Sequence, residues 1–173
     1  MKTTRTMPAM VIILASALVP GRVFAAGEEA SKSGTSGSAH VLMAPKEVKW
    51  GDAPPSLPKG AKLAVIQGDP ATAGEVVALR LKMPKGYTIP PHFHPTDEAV
   101  TVLSGSFSMG MGDKLDKNAA KALGPGGWGL MPKGEHHYAF ATAADTVVQV
   151  HMIGPFAITY VNPDDDPQKK ASK

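Results

Sequence analysis

The chain has 173 residues, of which 43% are hydrophobic and 19% are charged, with 16 prolines and 18 glycines. This composition predicts one globular, turn-rich domain and excludes a collagen-like or wholly disordered chain. Lys2, Arg5 and Arg22 precede residue 26, where no acidic residue lies, so the remaining chain carries equal numbers of basic and acidic groups. That balance argues against nucleic-acid binding. Because the sequence has no cysteine, disulfides and thiolate metal sites are excluded, and any metal must be bound by histidine and carboxylate.

Residues 1–25 have the pattern of a secretory signal peptide. A short basic start precedes an apolar stretch from Met7 to Val19, and Val23-Phe24-Ala25 offers a cleavage site. The alternative is a retained membrane anchor, but the apolar stretch is shorter than the roughly 20 residues of a spanning helix. We therefore expect cleavage after Ala25, a secreted or periplasmic protein, and no membrane anchor after cleavage.

The remaining chain divides by composition into three parts. Residues 26–40 are rich in Gly, Ser, Glu and Lys and predict a flexible leader, because they have too little apolar surface to bury. Residues 41–163 predict the folded domain. Residues 164–173 predict a polar tail, in which the run of three aspartates is a solvated charge cluster rather than a calcium site.

Within residues 41–163, short apolar runs alternate with glycine and proline turn signals, which predicts a β-sandwich or barrel. The expected strands are Leu63–Gln67, Glu75–Met83, Glu98–Leu103, Ser106–Met111, Gly129–Met131, His137–Thr142, Thr146–Ile153 and Ala157–Val161. One segment, Asp116–Leu123, has a helix-like composition and predicts a short helical turn in a connection.

Three histidines and one glutamate form a pattern that metal binding explains. His92 and His94 are two residues apart, so on an extended strand both side chains project to the same face. Glu98 follows after Pro95, and His137 comes from a separate hairpin. Imidazole nitrogens with one carboxylate suit divalent first-row transition metals, whereas calcium and magnesium prefer oxygen ligands alone.

The spacing of these residues resembles the cupin superfamily. The run from Gly86 through His92, His94 and Glu98 to Gly105 matches the first cupin motif, and the run Gly126-(five residues)-Pro132-Lys133-Gly134-(two residues)-His137 matches the second. The second motif usually closes with an asparagine four residues after the histidine, where this chain has Ala141. The resemblance implies an all-β, single-domain double-stranded β-helix, the jelly-roll barrel, with a metal near its centre.

The same resemblance implies a metal site that has room for a ligand. His92, His94, Glu98 and His137 would be the metal ligands, the ion would be Fe, Mn, Zn or Ni, and Glu98 would also act as a catalytic base. Positions on the metal that are left to water or substrate distinguish a catalytic site from a structural one. The resemblance further implies a homodimer.

The other candidate residues are interpreted from their neighbours. His136 is expected on the opposite face of the strand from His137, and His151 is expected either in the core or behind the metal ligands. Aromatic residues that can line a pocket mouth are Trp128, Tyr138, Phe140, Phe156 and Tyr160.

Three functions fit the sequence. The first is a metal-dependent oxygenase or other oxidoreductase acting on a small molecule, which the largely apolar interior and the absence of an arginine beside the ligands favour. The second is a non-redox decarboxylase, lyase or isomerase. The third is a protein that binds a metal and a small molecule without catalysis, because fold alone does not fix function.

Overall fold

The computed structural model describes residues 40–143 and 145–170. The predicted signal peptide and residues 26–39 of the predicted leader lie outside the described residues. Contacts divide the chain after His40, and the residues from Val41 onward form one compact unit. Among the described residues, no helix has the length and apolar character needed to cross a bilayer.

Two antiparallel sheets make up this unit. The first sheet has the strand order β1 (Gly51–Asp52), β2 (Lys62–Gln67), β3 (Val76–Met83), β10 (Thr146–Ile153), β5 (Glu98–Ser104) and β8 (Trp128–Met131). The second sheet has the order β11 (Thr159–Tyr160), β4 (Thr88–Phe93), β9 (His137–Ala141), β6 (Phe107–Met111) and β7 (Lys121–Leu123). The predicted all-β, double-sheet fold is confirmed.

The core lies between the sheets because apolar residues alternate along the strands. On β3, buried Val77, Leu79 and Leu81 point inward, whereas Arg80 and Lys82 point outward. The neighbouring strand β10 contributes buried Val148, Val150 and Met152 in the same way. Each such side chain contributes about 1.5–3 kcal/mol on burial, so apolar packing stabilises the frame that carries the polar site.

Strand β4 is absent from the expected strands, although the spacing of His92 and His94 indicated an extended segment there, and its sequence contains Pro90 and Pro91. Neither proline has an amide hydrogen to donate. The pairing of β4 with β9 accordingly shifts register between Ile89 and His92. On its other side, the Pro91 carbonyl still accepts a hydrogen bond from the Val161 amide at 2.9 Å.

The helical turn predicted for Asp116–Leu123 is wrong. Residues 117–119 form a turn, in which the Asp116 carboxylate accepts a hydrogen bond from the Asn118 amide at 2.8 Å. The last three residues of the segment are strand β7, which pairs with the edge of β6. Pairing to an open sheet edge therefore outweighs the local helix propensity.

The ends of the unit carry short helices. A 3-10 helix spans Pro45–Glu47 before β1, and a second spans Pro163–Asp165 after β11. The helix α1 (Pro167–Lys170) follows. The part of the predicted polar tail that the structure describes therefore has regular structure, and Asp166 and Pro167 are only half-exposed.

Candidate metal centre

The four predicted ligands come together between the two sheets. His92 on β4 lies directly opposite His137 on β9, and His94 follows one residue beyond the end of β4. Glu98 is the first residue of β5 and comes from the other sheet. All four side chains are buried, with exposed fractions of 3% for His92, 3% for His94, 8% for Glu98 and 1% for His137.

Backbone carbonyls fix the orientation of all three imidazole rings. The Nδ1 atom of His92 lies 2.7 Å from the Pro90 carbonyl oxygen, that of His94 lies 2.6 Å from the Ala157 oxygen, and that of His137 lies 3.0 Å from the Glu135 oxygen. Because a carbonyl oxygen only accepts hydrogen bonds, each Nδ1 carries the hydrogen and donates it. In a neutral ring, the lone pair is then on Nε2, which is the arrangement typical of metal-binding histidines.

The available nitrogens converge on one point. One ring nitrogen from each of His92, His94 and His137 lies within 4.8 Å of the others. The Nε2 atoms of His94 and His137 are buried and have no hydrogen-bond partner within the described protein. A buried nitrogen without a partner is costly, and a cation would satisfy it. The three histidines can therefore hold a metal ion.

Glu98 completes the cluster with a negative charge. Its Oε2 atom lies 3.7 Å from His94 Nε2 and 3.6 Å from His137 Nε2. Ligands that are each about 2.1 Å from one ion stand roughly 3.0–3.5 Å apart, so small adjustments bring this oxygen into the same coordination sphere. Burial alone would raise the pKa of Glu98, but the neighbouring His137, His94 and His92 rings outweigh it and lower that pKa below its usual value.

The environment also keeps His92 neutral. Burial lowers its pKa to about 3, with further contributions from the adjacent His137 and His94 rings. A neutral imidazole has the lone pair that a metal requires, whereas a protonated one does not. The charge state of the site therefore suits a cation at neutral pH.

The loop before Glu98 is held in place by hydrogen bonds. The His94 carbonyl accepts from the Gly134 amide at 2.9 Å, and the Asp97 carboxylate accepts from the Lys133 amide at 2.8 Å. The Thr96 hydroxyl donates to the Ile153 carbonyl at 2.8 Å. The loop between His94 and Glu98 is thus tied to the loop before His137 and to the end of β10.

The cluster opens into a small cavity of about 40 Å³, which His92, His94 and Glu98 line on one side. The other walls are apolar, and most of them are formed by Leu79, Leu81, Ile89, Val150, Phe156 and Ile158. The Phe156 ring lies 6.1 Å from the His94 ring, measured between centroids. No lysine or arginine is among the described residues that line this cavity.

The sequence of residues 38–157 matches the ChrR cupin-like domain. The chain belongs to this cupin family. The predicted membership of the cupin superfamily is therefore confirmed, and the match covers both motifs that contain His92, His94, Glu98 and His137. The sequence matches no curated protein at a significant level.

Solved structures share the fold of this cupin. The polyketide cyclase RemF from Streptomyces resistomycificus has 20% identity and a TM-score of 0.57, covering 78% of this chain and 94% of RemF. A candidate acetylacetone dioxygenase from Methylibium petroleiphilum PM1 has 17% identity and a TM-score of 0.56, and the match covers 75% of this chain and 85% of the dioxygenase structure. KdgF from Halomonas sp. has 21% identity and a TM-score of 0.53, and the match covers 69% of this chain and 96% of KdgF. At these identities the likeness shows the fold alone.

The two remaining histidines of the cupin domain lie outside the cluster. His136 is on the outer surface, where its Nδ1 lies 2.6 Å from the Asp113 carboxylate and its ring stacks on Phe93. This position agrees with the prediction that it faces away from His137. The expectation that His151 lies in the core or behind the ligands is wrong, because it is exposed on the outer face of β10. There its Nε2 lies 3.2 Å from the Gln149 amide nitrogen.

Ala141, which stands where other cupins usually have asparagine, is part of the core. It is 1% exposed, and its amide donates to the Tyr87 carbonyl at 2.8 Å. Its carbonyl accepts from the Gly86 amide at 2.9 Å. Backbone hydrogen bonds therefore join the end of β9 to the turn before β4 without a polar side chain at this position.

Sequence reasoning missed most of the cavity walls. The alternation of β3 and β10 could have indicated Leu79, Leu81 and Val150, because these residues share the inward face of their strands. Leu57, which also lines the cavity, lies in an irregular segment between β1 and β2 and has no periodic signal. Of the aromatic candidates, Phe156 lines the cavity, whereas Trp128 is 59% exposed.

Proposed function

We propose that this cupin is a metal-dependent oxygenase or related oxidoreductase that acts on a small, uncharged molecule. The observation that carries the proposal is the convergence of three imidazole nitrogens and the Glu98 carboxylate in an apolar cavity. Three neutral nitrogens and one oxygen anion suit Fe, Mn, Zn or Ni. When bound, such a metal supplies positions for an oxygen-containing ligand and polarises that ligand.

The protein's own groups have separate roles in this proposal. The His92, His94 and His137 rings bind the cation through Nε2, because their Nδ1 hydrogens are engaged by backbone carbonyls. The Glu98 carboxylate binds the cation and, when displaced from it, accepts a proton from the substrate at Oε2. The apolar walls exclude bulk water and strengthen the electrostatic interactions within the cavity.

The lack of lysine and arginine side chains among the described residues that line the cavity supports an uncharged substrate. A dianionic substrate would bring two negative charges to a cavity that already contains Glu98. A lysine or arginine partner normally compensates such charges, and none lines this cavity among the described residues. A neutral apolar compound with one polar group to contact the metal fits these walls better.

Elemental analysis of protein purified from its native compartment without metal-chelate resin tests the proposal. The comparison is between the wild-type protein, the double variant H92A/H94A and the control double variant H136A/H151A, which removes two surface histidines. We expect one metal per chain in the wild type and the control, and none in H92A/H94A. Stoichiometric iron, followed by oxygen consumption with small neutral substrates, would support the oxygenase. Zinc, manganese or nickel without oxygen consumption would favour the non-redox enzyme, and no metal in any sample would refute both.

Export and assembly remain predictions from the sequence. A native protein whose N-terminal sequence begins at Ala26 would support cleavage of the signal peptide, whereas a chain that begins at Met1 would contradict it. Size-exclusion chromatography with light scattering distinguishes the predicted homodimer from a monomer.

A further inference from the structure

Leu57 separates two cavities of very different size. On one side it lines the cavity of about 40 Å³ that contains His92, His94 and Glu98. On the other side it lines a cleft of about 420 Å³, whose walls include Pro54 and Pro167. Because Leu57 lines both spaces and is only 5% exposed, its side chain is part of the wall between them.

The small cavity does not have room for a whole organic substrate. The cavity next to His92 measures only about 40 Å³. Binding sites for small organic molecules typically measure about 300–1,000 Å³, and the outer cleft falls in that range. A substrate larger than a few atoms would need space beyond this cavity, and to use the outer cleft it would have to displace the Leu57 side chain.

The backbone around Leu57 is fixed on both sides. The Tyr160 hydroxyl donates to the Ser56 carbonyl at 2.8 Å, and the Tyr87 hydroxyl donates to the Pro58 carbonyl at 2.6 Å. The Leu57 amide donates to the Pro54 carbonyl at 2.9 Å. Burial raises the pKa of both tyrosines above the ordinary value, so both hydroxyls keep the hydrogen that they donate. The backbone of this segment is therefore held in place, so a smaller side chain at position 57 changes the shape of the wall and not the course of the chain.

We propose that Leu57 is the specificity-determining residue of this cupin: its side chain limits the size of ligand that reaches the metal ligands, and the outer cleft binds the body of a larger apolar substrate. The inference rests on the proposed function, since it takes the His92, His94 and Glu98 cluster as the place where the ligand is bound. Leu57 acts through shape alone, because its side chain carries no group that could bind a metal or move a proton.

Another wall offers a matched control. Leu63, together with Leu79 and Phe156, lines both the small cavity and a second cleft of about 370 Å³. If ligands entered on that side, L63A would enlarge the accessible space and L57A would not. The two variants remove the same atoms from the walls of two different clefts.

The experiment uses full-length protein loaded with cobalt(II), whose visible absorption reports ligands that bind to the metal. The probes are azide, which has three atoms, and 4-phenylimidazole, which exceeds the small cavity. We expect similar azide affinity in wild type, L57A and L63A. For 4-phenylimidazole we expect at least about tenfold tighter binding in L57A alone, with L57V intermediate. Thermal unfolding checks that each variant is folded. If L57A does not fold, the 4-phenylimidazole affinity of L57V is the test.

Different failures have different meanings. Wild-type protein that binds no cobalt refutes the proposed function, and the role of Leu57 falls with it. If cobalt and azide bind normally but the wild type and the folded Leu57 variants have equal affinity for 4-phenylimidazole, only the role of Leu57 is refuted. A gain in L63A as large as that in L57A also refutes it, because the two entrances would then be equivalent.

Discussion

The ring of Tyr138 lies directly over Gly110 on the neighbouring strand. The two residues are paired in register between β9 and β6, and a Cβ atom built on Gly110 would overlap the end of the Tyr138 ring. Tyr138 is 1% exposed, and its hydroxyl donates to the Asp116 carbonyl at 2.7 Å. Because Tyr138 follows His137 directly, this contact fixes the strand that carries one imidazole of the histidine cluster.

The substitution G110A should therefore destabilise the protein. The new methyl group would displace a buried, hydrogen-bonded ring, and overpacking of this kind costs about 1–3 kcal/mol. Urea unfolding measures the change. G129A is the matched control, because a Cβ atom on Gly129 meets only the Met109 and Met131 sulfurs, at 3.8 and 3.9 Å. Equal stability of the two variants would show that the Tyr138 ring moves without cost.

Removal of the Glu98 charge should weaken metal binding while leaving the three imidazoles in place. We expect E98Q to bind cobalt(II) at least about tenfold more weakly, equivalent to roughly 1.4 kcal/mol, because a neutral amide replaces the only anionic ligand. Isothermal titration calorimetry measures the affinity. D97N is the control, because it removes the charge of an exposed neighbouring carboxylate while its side-chain oxygen can still accept the hydrogen bond from the Lys133 amide. Unchanged affinity in E98Q would mean that Glu98 does not bind the metal.

Restoration of the asparagine found in other cupins should harm this protein. Ala141 is 1% exposed and belongs to the apolar core, so the amide of A141N would be buried there. An amide that loses water without finding a partner costs about 1–3 kcal/mol. A122N is the control, since Ala122 is exposed on β7 and surface changes usually stay within about 0.5 kcal/mol. A stability of A141N at or above that of the wild type, measured by thermal unfolding, would contradict this.

The predictable part of the fold came from strands with simple patterns. The range Thr146–Ile153 was predicted with the observed bounds, because its apolar residues run between clear turn signals. The spacing of His92 and His94 indicated an extended segment, but the bounds of β4, which contains two prolines, were not predicted. Strand β7 was predicted as a helical turn, because an alanine-lysine segment pairs with a sheet edge. Local sequence preference cannot reveal such pairing, which depends on residues distant in the chain.

The candidate site shows the same division. Motif spacing predicted the four residues around the cluster, but the strand face of His151 was wrong, since the phase of β10 follows from packing. Leu57 could not be predicted at all. It comes from an irregular segment, where the carbonyls of its neighbours Ser56 and Pro58 accept hydrogen bonds from the Tyr160 and Tyr87 hydroxyls. Both tyrosines are remote in sequence.

Acid should destabilise the metal-free protein over a defined range of pH. The folded protein lowers the pKa of His92 from 6.5 to about 3, so between these values the unfolded chain binds a proton that the folded protein does not. Folding stability from this group is therefore fully present above pH 6.5 and is lost as the pH falls toward 3. Glu98 acts in the same direction, because its pKa is also lowered, and its contribution is lost below about pH 4.5.

Urea unfolding in the presence of a chelator, between pH 7 and pH 4, measures this loss. The whole shift at His92 corresponds to at most about 5 kcal/mol, of which about 3 kcal/mol falls between pH 6.5 and pH 4. The variant H92N should show a flatter dependence on pH, because its amide does not titrate while its nitrogen can still donate to the Pro90 carbonyl. The control H151A should keep the wild-type slope, since His151 is exposed on the outer face of β10, contacts the Gln149 amide and leaves the cluster intact. A slope in H92N as steep as that of the wild type would mean that acid acts elsewhere in the fold.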